Sequence, residues 1–139
     1  MKCSRIIITL LFSSLTLLLL VSNSAGQSNN RSAVVPAYSK ATEATFKGTV
    51  EEVRDRQCPM SGGMGTHLIL KVAGGNTIEV HLATTKFVKS YDLVFKKGDA
   101  VQVVGTKVQF EGVETIFARE VIRGGDTFVF RDKDGAPVW

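Results

Sequence analysis

Cysteine is scarce in this 139-residue chain, which contains only two. Cys3 precedes an apolar run at the start of the chain and Cys58 stands alone after it, so a chain that has lost its first segment cannot form an internal disulfide. Outside the cytoplasm, an odd cysteine indicates a metal ligand, an intermolecular bridge, a reactive thiol or a small buried residue. Cys58 precedes Pro59 in a glycine-rich stretch, which favours an exposed position.

A strong charge of one sign is also missing. The formal net charge is +4, and it falls to +2 without the basic residues Lys2 and Arg5. Proteins that bind nucleic acids usually carry a large, clustered excess of Lys and Arg. Residues 66–82 moreover contain no aromatic side chain on which a base could stack. We therefore expect no nucleic-acid partner.

The longest apolar run, residues 6–21, is shorter than the roughly 20 residues of a membrane-spanning helix. Basic residues precede it and small polar residues follow it, which is typical of a secretory signal peptide. We predict a signal peptide over residues 1–25, cleaved near Ala25, and a periplasmic or secreted product. An uncleaved anchor is the alternative, and it would be the protein's one attachment to a membrane. In residues 26–39 the apolar residues follow neither a helical nor a strand periodicity, and we predict a flexible linker there.

Period-two alternation of apolar and polar residues predicts that residues 40–139 form one small all-β domain. The predicted strands are 45–55, 66–72, 77–82, 100–110 and 113–122, and a further short strand begins at 127. The alternation changes phase after Val50, which is typical of a β-bulge, and Gly105 predicts a bend. Helical spacing within residues 84–94 predicts a short helix between the third and fourth strands.

The second and third predicted strands form a hairpin and carry the chain's two histidines. Both strands must turn their Leu, Ile and Val residues to the same core, so His67 and His81 share the opposite face. Their Cβ atoms should lie roughly 5 to 8 Å apart, a spacing that one metal ion can bridge. The alternatives are two polar residues on a solvated face, or hydrogen-bonding partners of Glu79.

Five strands with a helix between the third and fourth predict a small OB-fold-like Greek-key barrel. The segments FKGTV (46–50), KGDAVQVVG (97–105) and AREV (118–121) resemble the secreted bacterial OB-fold proteins, including the periplasmic stress-tolerance family. The segments GTHL (65–68), IEVHL (78–82) and RDKDG (131–135) resemble the OB-type domain shared by the magnetosome S and X proteins. The resemblance extends from about Tyr38 to Trp139, and it implies the fold more than the chemistry.

OB-folds usually bind ligands on strands two and three, beside the loop that joins strands one and two. Here that loop, residues 58–65, and the hairpin contain five candidate metal ligands. They are Cys58, Met60, Met64, His67 and His81. Thiolate, thioether and imidazole groups together favour Cu(I), or zinc if the methionines take no part. The arrangement is similar in a general way to the periplasmic copper and silver chaperones, whose ligand motif is not reproduced here. Alternatively, the methionines are apolar loop residues resting on the barrel.

The sequence thus favours an extracytoplasmic binding module that holds a soft metal ion, copper or zinc. The alternative is a structural or protein-interaction module of the cell envelope that docks a protein partner without a metal. Enzymatic activity is not expected, because no third group that would orient a Cys-His pair can be recognised from spacing.

Overall fold

The computed structural model describes residues 34–139. The predicted signal peptide and most of the predicted linker lie outside these residues. The described part contains six strands, one α-helix and two short 3-10 turns. The strands are β1 (Glu43–Cys58), β2 (Gly63–Val72), β3 (Thr77–Thr84), β4 (Ala100–Phe110), β5 (Val113–Arg123) and β6 (Asp126–Val129). The helix α1 is Thr85–Ser90, and the 3-10 turns are Lys40–Thr42 and Pro59–Ser61. Among residues 34–139, none of the helical segments has the length and apolar character needed to cross a bilayer.

Five of the strands close into a ring. β1 pairs antiparallel with both β2 and β4, while β2 with β3 and β4 with β5 form hairpins. A parallel pairing of β3 with β5 completes the circle, and β6 continues the sheet beyond β5. The helix α1 follows β3 and precedes β4, as predicted. The all-β, five-stranded OB-fold-like architecture is therefore confirmed, with β6 as a sixth strand outside the ring.

Both predicted irregularities of the strands are present. The register of β1 against β2 shifts between Val50 and Glu52, and that of β4 against β5 shifts between Val104 and Gly105. At Gly105 a Cβ atom would lie 2.3 Å from the carbonyl oxygen of Phe117. The absence of a side chain at this position therefore allows β4 to approach β5 closely.

The helix α1 begins at a side-chain cap. Thr84 has extended backbone angles, and its Oγ1 accepts a hydrogen bond of 3.2 Å from the backbone N–H of Phe87. This bond satisfies one of the N–H groups that have no partner within the first turn of a helix. The helix buries Val88 against the main core and places Phe87 beside the ring of Phe130.

The buried side chains form two clusters. The larger fills the ring with residues such as Leu68, Leu70, Val80 and Leu82. The smaller contains Cys58, Phe110 and Phe117, and partly buried Tyr38, Met60 and Val108 pack against it. Burying a Phe side chain contributes on the order of 2 to 3 kcal/mol. The candidate site lies where this smaller cluster meets β2 and β3.

Candidate metal centre

Three neighbouring strands supply the three donor residues of the site. Cys58 is the last residue of β1, His67 belongs to β2, and His81 belongs to β3. The β2–β3 register pairs His67 directly with His81, and their ring centroids lie 4.9 Å apart. The predicted sharing of one face by the two histidines therefore appears in the structure as a direct cross-strand pair.

All three donors are buried. Cys58 is 2% exposed, and both histidines are fully buried. The prediction of an exposed Cys58 was wrong, and the alternative of a solvated histidine face is excluded. The cause lies far along the chain, because Phe110 and Phe117 cover Cys58 while Phe117 and Trp139 pack against the ring of His81.

The donor atoms converge on one another. The Sγ atom of Cys58 and one ring nitrogen of each histidine all lie within 4.8 Å of each other. Within the described part of the chain, neither ring nitrogen of His67 forms an aligned hydrogen bond, and Nδ1 of His81 has no partner. Buried polar atoms without a partner are uncommon in native proteins, and each one calls for an explanation.

A carboxylate holds His67 from the side away from the thiol. Oε1 of Glu79 lies 2.6 Å from Nδ1 of His67, as an ion pair rather than an aligned hydrogen bond. The same oxygen is 2.8 Å from Nη2 of Arg56, whose Nη1 lies 2.7 Å from Oε2 of Glu111. Histidines that ligate metals usually make such a contact through their other ring nitrogen, which fixes the ring. Nε2 of His67 is thereby left for the thiol or for an ion.

Cys58 and His67 shift each other's pKa. Burial lowers the pKa of His67, but the adjacent Cys58 and Glu79 outweigh burial and leave that pKa raised. Burial raises the pKa of the Cys58 thiol, but its contact with His67 outweighs burial and leaves the thiol pKa lowered. The contacts with His67 and Arg56 hold the pKa of Glu79 at about 2 in spite of burial. These shifts favour a thiolate, the form of cysteine that binds metals.

His81 is held in its neutral form. Burial, together with the positive charges of His67, Arg131 and Arg56, lowers the pKa of His81 to about 3. Its Nε2 lies 2.9 Å from the hydroxyl oxygen of Ser61 in the 3-10 turn that joins β1 to β2. Neutral imidazole is the form that ligates metals.

The two predicted methionine ligands have different surroundings. Met60 is partly buried against the Cys58 cluster, and its Sδ lies 3.6 Å from Nη2 of Arg131. Met64 is 43% exposed. It precedes Gly65, whose missing Cβ would point at the donors, so strand alternation turns Met64 to the opposite face. The structure thus brings Cys58, His67 and His81 together, keeps Met60 next to them and leaves Met64 outside.

Other residues of the site were missed by sequence reasoning. The sequence pattern indicates Glu79 only as a hydrogen-bonding partner of the histidines. It does not indicate the other four residues, which are Ser61, Arg56, Glu111 and Arg131. Glu79 could have been found, since it lies two residues before His81 on the same strand face. The remaining four come from separate elements, and only the folded chain brings them to the site.

Gly65 keeps the space between the donors open. A Cβ atom there would lie 2.5 Å from Ser61 Oγ, 3.1 Å from Cys58 Cβ and 3.3 Å from His67 Nε2. We expect Gly65→Ala to weaken metal affinity about ten- to a hundredfold, as displaced metal-site supports commonly do. Chelator competition measures this loss. Gly63→Ala is the matched control in the same strand, because a Cβ at residue 63 meets nothing within 4 Å. Equal affinities of the two variants would contradict the expectation.

Comparison with known proteins identifies a family. The model of a family described as the MamS/MamX magnetosome protein family matches residues 42–128 of the chain. The matched stretch contains Cys58, His67 and His81. No curated protein matches the chain.

Proposed function

The chain belongs to the MamS/MamX magnetosome protein family, and from this premise we propose that its OB-type domain is an extracytoplasmic module that binds one soft metal ion. The ligands are Cys58, His67 and His81, and the ion is copper or zinc. The signal-peptide pattern of residues 1–25 supports a position outside the cytoplasm.

The observation that carries the proposal is the convergence of three buried donors from three strands within 4.8 Å. A buried nitrogen without a partner costs about 1 to 3 kcal/mol. An ion bound between the donors would satisfy Nε2 of His67, which has no partner among the described residues, so binding would remove part of this cost. Glu79, which helps to raise the pKa of His67, stays charged when His67 loses its proton to become a ligand.

The donor set narrows the choice of ion. One thiolate and two imidazoles are ligands suited to copper and zinc, whereas magnesium and calcium prefer oxygen. Three protein ligands leave a fourth position open on a tetrahedral ion. Met60 is the nearest residue with a soft donor atom for that position, although its sulfur is engaged by Arg131.

We propose binding rather than catalysis for this site. Glu79 does supply the third group that a Cys-His nucleophile requires. Cys58, however, is almost completely covered by Phe110 and Phe117. A substrate would have to reach the thiol through this covering, whereas a single ion needs far less room.

Anaerobic titration of the reduced protein with Cu(I) and with Zn(II), each against a competing chelator, tests the proposal. We expect one equivalent to bind and to resist the competitor. Prior alkylation of the Cys58 thiol in unfolded protein, followed by refolding, provides a control that should not bind. Failure of the untreated protein to compete with the chelator would contradict metal binding and favour the envelope-docking module without a metal.

A further inference from the structure

We infer that Arg131 makes this site select a monovalent soft ion, Cu(I), over divalent Zn(II). The inference rests on the proposed function and names the charge of the ion that the site takes. Three features support it: the contacts of Arg131, the rings that separate Arg131 from the donors, and the balance of charge around the donors.

Arg131 is a buried cation without a carboxylate partner among residues 34–139. It is 3% exposed, its Nη1 donates a 2.9 Å hydrogen bond to the carbonyl oxygen of Gly135, and its Nη2 contacts Met60 Sδ. Its Nε has no hydrogen-bond partner within the described residues. A buried charge that lacks an opposite charge lowers the stability of the fold, so its presence calls for a functional explanation.

Aromatic rings surround the guanidinium and connect it to the site. Its Cζ lies 5.2 Å from the ring centroid of Tyr38 and 5.9 Å from those of Phe117 and Trp139. Phe117 and Trp139 also pack on His81, with centroid distances of 5.9 and 5.7 Å. Only one ring therefore separates the guanidinium from a ligand. Rings exclude water, so the charge of Arg131 acts on the site with little screening.

The two shared rings, Phe117 and Trp139, place the charge of Arg131 next to the imidazole of His81. An additional positive charge at that imidazole is therefore unfavourable. The same repulsion acts on a net positive charge carried by an ion bound to that imidazole.

The charges around the donors cancel. Glu79 and Glu111 are negative, and Arg56 and Arg131 are positive. Arg56 and Glu111 are partly exposed and pair with each other. The remaining charges, those of Arg131, Glu79, the Cys58 thiolate and a monovalent ion, sum to zero. With a divalent ion one positive charge stays uncompensated, which is unfavourable away from water. Charge neutrality therefore favours Cu(I).

The test is the ratio of Cu(I) to Zn(II) affinity in Met60→Leu and in Met60→Leu combined with Arg131→Leu, each measured by chelator competition. Met60→Leu is present in both proteins because the loss of Arg131 would otherwise free a thioether that itself favours Cu(I). Removing the guanidinium should shift the ratio toward Zn(II) by roughly tenfold, the order expected for one unit charge acting across a water-free ring. Arg131→Lys keeps the charge and should keep the ratio. A ratio is insensitive to a general loosening of the site, since loosening weakens both ions together.

Glu111→Gln provides a second test that does not depend on the buried arginine. Glu111 is partly exposed, and its removal leaves one excess positive charge near the donors. We expect the ratio to shift a few fold in the opposite direction, toward Cu(I). Where the variant that lacks the arginine fails to fold, Glu111→Gln still shows whether charge near the donors sets the ratio. Unchanged ratios in the variants that fold would overturn the inference while leaving metal binding intact, whereas an intact protein that binds neither ion would overturn both.

Discussion

Combining His67→Ala with His81→Ala is expected to abolish metal binding, with a loss of affinity on the order of a thousandfold or more. The two rings supply two of the three converging donors and face each other across the β2–β3 ladder. Cys58 alone would then hold the ion, and one thiolate without supporting ligands does not compete with a chelator. Titration with Cu(I) and Zn(II) measures the loss.

A matched control lies in the same ladder. Lys71 and Thr77 form a cross-strand pair of β2 and β3, and both are exposed. Lys71→Ala combined with Thr77→Ala removes two side chains from the same strands without touching the donors, so its affinity should equal that of the unaltered protein. Circular dichroism of both double variants checks that the strands persist. Undiminished affinity in the histidine variant would show that the ion binds elsewhere.

Gly105→Ala is expected to lower the free energy of unfolding by about 3 kcal/mol or more, because its new Cβ overlaps atoms that cannot move aside. The Cβ would lie 2.3 Å from the Phe117 carbonyl oxygen and 2.9 Å from Ile116 Cγ2. A carbonyl oxygen is part of the backbone, so the β4–β5 ladder would have to separate. That separation disturbs β5 where Ile116 and Phe117 pair with β3 and close the ring.

Urea unfolding of Gly105→Ala measures this effect. Gly125→Ala is the control, since a Cβ at residue 125 meets nothing within 4 Å and should change the stability little. The same free energy of unfolding in both variants would mean that β4 adjusts at Gly105 without separating from β5.

Local patterns predicted much of the fold. Alternation located the strands because each strand of the ring has one face toward the core. The change of phase after Val50 and the single glycine at residue 105 predicted the two shifts of register. The same parity argument put His67 and His81 on one face. These features depend on residues close together in sequence, so one sequence is enough to find them.

The errors concern what covers the hairpin. The glycine-rich composition of residues 58–65 suggested an open loop, yet β1 continues to Cys58 and β2 begins at Gly63. The connection between them is a single 3-10 turn that ends in Gly62 with a φ of 62°. Gly65 belongs to β2, where it leaves room for the donors rather than making a loop. Alternation identifies a second strand face, but it cannot show whether distant residues bury that face.

Arg131 illustrates the same limit. The residues that follow it in sequence are polar, so it reads as a solvated residue of a turn. Its burial depends on Tyr38 and Phe117, which come from distant parts of the chain, and on Trp139, which follows it. The sum of the charges around a site can therefore be determined only when the spatial neighbours of each charged residue are known.

Trp139, which packs on His81, gives the protein an intrinsic optical reporter. It is the chain's single tryptophan, and its indole ring lies 5.7 Å from the imidazole of His81 at an angle of 49°. Selective excitation of this indole therefore yields emission from one place in the fold, beside a proposed ligand. Its intensity and wavelength report the occupancy and the polarity of that place without any attached dye.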